Sequence, residues 1–145
     1  MNKKQEQMMV LIQDLCLAFI INSAATILNG GIQDIGAYFL GMFLAFSINY
    51  IAGIIIPVSV CGNAVANFFR CKEGSFIHKL VRIFIINAIY VTIISFTIAL
   101  INVGPVVEVF AIWWKTYWIL HLVGFVASVL LERGCIALAK IFVKD

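Results

Sequence analysis

His121, Asn49, Asn22 and Asn87 are the side chains whose chemistry is hardest to reconcile with their apolar surroundings in this sequence. His121 follows Lys115 by six positions, about 9 Å along a helix, and lies inside an uncharged run. An ionisable group at such a depth is a candidate proton relay or solute contact. Its plainer role is a neutral imidazole bonded between helices, worth about 0.6 to 2 kcal/mol. The sequence offers no second ionisable group at that depth, so packing is the expected role. The three amides can line a pathway or glue helices together, and glue asks less of the sequence.

Other chemistry is thin. Asp14 resembles a proton-coupling acid, but few residues separate it from Lys3 and Lys4, so an interfacial carboxylate is expected. Cys61, Cys71, Cys135 and His78 have the right atoms for zinc, yet no CxxC or comparable spacing accompanies them. Cys16 falls inside an apolar run, and no cysteine pair is expected on the outer face. There is no HExxH, GxSxG, Walker loop, dinucleotide fingerprint or pair of intramembrane carboxylates. The expectation is a protein without catalytic residues, metal or cofactor.

The elements that hold these residues follow from composition and charge. Of 145 residues 63% are hydrophobic and 12% charged, against roughly 45–50% and about 25% in soluble domains. No Asp, Glu, Lys or Arg occurs between Asp14 and Asp34, Asp34 and Arg70, Arg82 and Glu108, or Lys115 and Glu132. A crossing of a 30 Å core needs about 20 apolar residues, so each gap supplies one. The reading is all-α: a four-helix membrane bundle with segments Met8–Leu28, Gly36–Val60, Leu80–Val103 and Val106–Leu130. A cleaved leader over residues 1–25 is the rival for the first segment, but Gln13 and Asp14 interrupt its apolar run.

Charge also orients the chain. Lys3, Lys4, Arg70, Lys72, Lys79, Arg82, Arg133, Lys140 and Lys144 share one side of a four-crossing model, and Lys115 alone among basic residues takes the other. By the positive-inside rule both ends are expected in the cytoplasm. Trp113, Trp114, Trp118 and Tyr117 are expected near the outer boundary. Residues 133–143 read as an amphipathic extension along the inner surface. This distribution accounts for the net charge of +3 without nucleic acid.

The chain also contains one hairpin twice. A shift of 73 residues lays Asn29-Gly30-Gly31 on Asn102-Val103-Gly104, and Ala64, Ala66 and Phe69 on Ala137, Ala139 and Phe142. Asn29, Gly31, Asn102 and Gly104 are the expected corners, since Gly and Asn tolerate positive φ. The copies, about 8–69 and 81–142, enter the membrane in the same direction and should superpose by rotation about its normal. The shift carries Asn49 to Leu122, beside His121, so His121 is expected to face Asn49. Ala45-Asn49-Gly53 and Gly124-Ser128 form small faces for close helix contact, within the chain or between copies.

Each copy resembles a two-helix bacterial membrane domain, the domain of unknown function numbered twenty-seven ninety-eight. In the first copy Thr26 to Gly31, Tyr38, Phe39, Pro57 and Arg70 carry the resemblance. In the second Thr97 to Gly104, Phe110, Trp113, Trp114 and Arg133 do, with Leu130 where a proline would stand. The resemblance implies a fold and a bacterial inner-membrane location, and the family has no assigned activity. Two roles follow, of which the first asks less of the sequence and is the expected one, the second its alternative. One is an accessory subunit docking on a larger membrane complex through its small faces and basic inner surface. The other is a small conduit or transporter for a solute, working as a homo-oligomer. The lipid bilayer is the expected environment in both.

Overall fold

A computed structural model describes residues 2–28, 30–32, 34–104 and 107–143, with only the backbone considered at residues 3, 6, 102 and 103. Helices account for nearly all of it: α1 (Lys3–Leu28), α2 (Ile35–Ile55), α3 (Val58–Phe68), α4 (Phe76–Val103) and α5 (Glu108–Phe142). Four of these, α1, α2, α4 and α5, are long and apolar enough to cross a membrane. In lipid the backbone must satisfy its own hydrogen bonds, which favours uninterrupted helices over strands. The fold is the expected all-α bundle of two tandem hairpins.

The helix ends follow local chemistry. Gly31, at φ +89°, donates to the Thr26 carbonyl at 2.9 Å and closes the end of α1. Asp34 then caps α2, accepting from the backbone N–H of Gly36 at 2.7 Å and of Ala37 at 3.3 Å. Gly104, at φ +88°, ends α4. Two sequence landmarks, the corner residue Asn29 and the boundary at Val106, fall outside the described residues, as does Lys144. Asn102 belongs to the last turn of α4, so the second reversal begins at Gly104.

The second expected segment, Gly36–Val60, divides at Ile56 and Pro57. Ile56 is extended (φ −100°, ψ 124°), the conformation a following proline favours, and Pro57 has no N–H to continue the ladder. The chain then turns into α3, which packs on α4 through Gly62. A Cβ there would lie 3.0 Å from the Arg82 carbonyl oxygen. In the second hairpin α5 runs unbroken past Leu130.

Helix α5 is about 52 Å long at 35 residues, far more than a bilayer core requires. Its last turns do not peel away along a surface as expected. Cys135 and Ala139 are buried, and the Gln5 side-chain amide donates to the Val143 carbonyl at 3.1 Å. The end of α5 is therefore pinned to the start of α1. The most extensive helix contact is α1 with α5, followed by α4 with α5, α3 with α4 and α1 with α2, while α2 touches only α1 and α4 to any extent. The main core joins Leu17 and Ile21 of α1, Val91 of α4, and Tyr117, Leu120 and Ala127 of α5. Exposed Phe39, Phe43, Trp114, Trp118 and Leu122 form the apolar outer face that lipid would cover. Tyr117 is a core residue instead, accepting from the Thr92 hydroxyl at 3.2 Å.

Candidate functional site

Two of the three amides make the same clasp in the two hairpins. Asn22 on α1 donates to the Tyr38 carbonyl on α2 at 3.0 Å, and its Oδ1 rests in the notch at Gly41. Asn87 on α4 donates to the His121 carbonyl on α5 at 2.9 Å, with its Oδ1 in the notch at Gly124. In each case the glycine follows the accepting residue by three positions, one turn along the same face. A Cβ at Gly41 would lie 2.7 Å from the Asn22 oxygen, and one at Gly124 would lie 2.6 Å from the Asn87 oxygen. The absent Cβ atoms are what admit the amides.

The clasp also sets the protonation of His121. Asn87 must turn its nitrogen to the His121 carbonyl, because an amide oxygen there would oppose another oxygen. Its second N–H meets His121 Nδ1 at 3.0 Å, so Nδ1 accepts and the ring hydrogen sits on Nε2. That Nε2 is buried without a hydrogen-bond partner among the described residues, and the rings of Phe84, Tyr117 and Trp118 surround the imidazole. No onward relay leads from it.

Asn49 stands apart. The expected pairing with His121 is replaced by Asn87, because α2 makes no substantial contact with α5. Asn49 is fully buried, and neither its amide nitrogen nor its oxygen finds a hydrogen-bond partner among the described residues. The small face on which it sits is consumed inside the chain: Ala45 is fully buried, and Gly53 admits the Tyr90 hydroxyl, 2.9 Å from where a Cβ would stand.

The polar centre of the molecule is elsewhere, at the basic end of the bundle. A cavity of about 120 Å³ opens between α1, α3, α4 and α5, lined by Asp14, Tyr90, Asn87, Arg82, Ser128 and Glu132 among others. Asp14 is 4% exposed and Tyr90 7% exposed. Asp14 shares the cavity with Val58 and Ser59 beside the Pro57 break. Its burial was not legible, because α3 and the long α5 provide it. Glu132 also lies inside, where Lys79 pairs with one carboxylate oxygen and Arg82 approaches the other at 3.8 Å. By contrast, no hydrogen bond or ion pair engages the Asp14 carboxyl or the Tyr90 hydroxyl among the described residues. The same two residues line a wider groove of about 700 Å³ that reaches Lys4 and Gln7 at the end of α1.

Tyr90, Arg82 and Glu132 were invisible as site residues in the sequence. Arg82 and Glu132 read as markers of segment ends, and a tyrosine in an apolar run reads as packing. The available signal was spacing: Asn87 and Tyr90 share a helical face, as do Ser128 and Glu132. The thiols and His78 are not assembled. Among the described residues no three metal-binding side chains come together, and His78 Nε2 instead meets Asn67 Oδ1 at 3.1 Å. No family model, curated sequence or solved structure matches this chain.

Proposed function

We propose that this chain is a non-enzymatic solute-handling protein of the bacterial inner membrane, a small conduit or carrier whose binding site is the chamber at Asp14. The carrying observation is a buried carboxyl that lines a cavity and has no ion-pair partner among the described residues. Leaving such a group unmatched is costly, and membrane proteins retain intramembrane ionisable residues mainly at sites of function. The accessory reading loses ground for a separate reason. Its docking faces, Ala45-Asn49-Gly53 and Gly124-Ser128, are used between helices of this chain. The tandem-hairpin architecture agrees with the two-helix bacterial domain that each copy resembles.

Orientation is tested by reporter fusions. Fusions at Asp34 and Glu108 should report the outside, and fusions at Gly74 and Asp145 the cytoplasm; the reverse pattern would defeat the charge argument. The chamber itself is tested with Asp14→Cys in a background where Cys16, Cys61, Cys71 and Cys135 are serine. A membrane-impermeant thiol reagent should modify it in inside-out vesicles and spare it in right-side-out vesicles. A thiol unreactive from both sides would mean a sealed packing defect, and the solute reading would fall.

A further inference from the structure

The chamber holds one carboxyl with no ion-pair partner among the described residues, and that group selects its ligand. Glu132 is paired with Lys79 and approached by Arg82, which also lines the cavity. Asp14 has no such partner among the described residues. Beside it the Tyr90 hydroxyl offers an oxygen with no hydrogen bond of its own among the described residues. The remaining walls are largely aliphatic: Leu17, Val58, Ile83 and Ile86 line the same space.

Resting on the solute reading above, we infer that the chamber binds a small primary ammonium ion with a short aliphatic tail. The ammonium group has three N–H donors and no acceptor, which suits the Asp14 carboxylate and the Tyr90 oxygen. An alkali or divalent ion would need a shell of several oxygens at close range. The aliphatic walls cannot supply it, and no three metal-binding side chains converge among the described residues. An anion would have to displace Glu132 from Arg82 and face Asp14 as well. A second positive charge on the ligand would find no second free carboxylate. The cavity of about 120 Å³ limits the tail to a few carbons, since a single water needs about 10–15 Å³ on the same measure. The wider groove, which shares Asp14 and Tyr90, gives an approach from the basic end.

The test is thermal unfolding of the full chain in detergent with n-propylammonium, 1-propanol, sodium and tetrapropylammonium at matched ionic strength. At about 100 mM, n-propylammonium should raise the midpoint saturably, by roughly 9 °C if its dissociation constant is near 1 mM. Propanol lacks the charge, sodium lacks the tail, and tetrapropylammonium exceeds the chamber, so none should reproduce the shift. Asp14→Asn should abolish it. If that variant does not fold, Tyr90→Phe preserves the ring and should weaken the apparent affinity several-fold. No shift in the wild-type chain, an equal shift with sodium, or a shift indifferent to both substitutions would overturn the ammonium assignment. The thiol reactivity of Asp14→Cys reports the chamber separately, so a reactive thiol without an ammonium effect rejects the ligand and keeps the site.

Discussion

Gly124→Ala is expected to lower the unfolding free energy in detergent by about 2 to 3 kcal/mol, whereas Gly134→Ala, on the same helix, should leave it unchanged or raise it by up to about 1 kcal/mol. Both substitutions favour an α-helix intrinsically, since alanine loses less backbone entropy than glycine. They differ in what the new methyl meets. At Gly134 there is nothing within 4 Å, and the residue is exposed. At Gly124 the methyl would stand 2.6 Å from Asn87 Oδ1, so the amide must swing away. The movement breaks the bonds to the His121 carbonyl and to Nδ1 and leaves a buried amide to find new partners. Chemical or thermal unfolding of the two variants beside wild type measures the contrast. Equal effects would show that the notch carries no energy.

What the sequence disclosed and what it withheld divide along a physical line. Charge-free gaps report length and solvent, and these alone give four crossings and their order. Pro57 was visible too, but a segment written as Gly36–Val60 absorbed it; the proline ends α2 and frees α3 to lie on α4. Partner choice depends on helix rotation and neighbour order, which no local pattern states. Asn49 and His121 fall at nearly the same depth in the proposed repeat, yet α2 and α5 are not neighbours, so Asn87 takes His121. The register of the clasps diverges as well. Asn22 acts near its hairpin corner, while Asn87 acts about two turns deeper relative to Gly104, so one device serves two depths. The burial of Asp14 is not legible in the sequence, because it is decided by distant segments, α3 and α5.

The clasp also ranks its own members. Asn87→Ala should cost about 2 to 3 kcal/mol, more than His121→Leu at about 1 to 2 kcal/mol. The reason is the number of bonds each side chain holds. Asn87 makes two, one to the ring and one to the backbone, and its loss leaves Nδ1 and a carbonyl without their donor. Leucine at position 121 removes only the ring acceptor, and the bond from Asn87 to the backbone carbonyl survives. His121→Gln supplies a carbonyl that accepts from Asn87 in place of Nδ1, so stability should stay within about 0.5 kcal/mol of wild type. A proton-relay role would make the opposite demand. Glutamine cannot carry a proton between two nitrogens, so a relay would be silenced while the fold stayed intact. The geometry favours packing, since Nε2 is enclosed by Phe84, Tyr117 and Trp118 and His121 does not line the Asp14 chamber. Unfolding of all three variants, together with propylammonium binding by His121→Gln, decides the matter. A His121→Gln chain that keeps its stability but no longer binds the ammonium ion would tie the histidine to the site and refute the packing role.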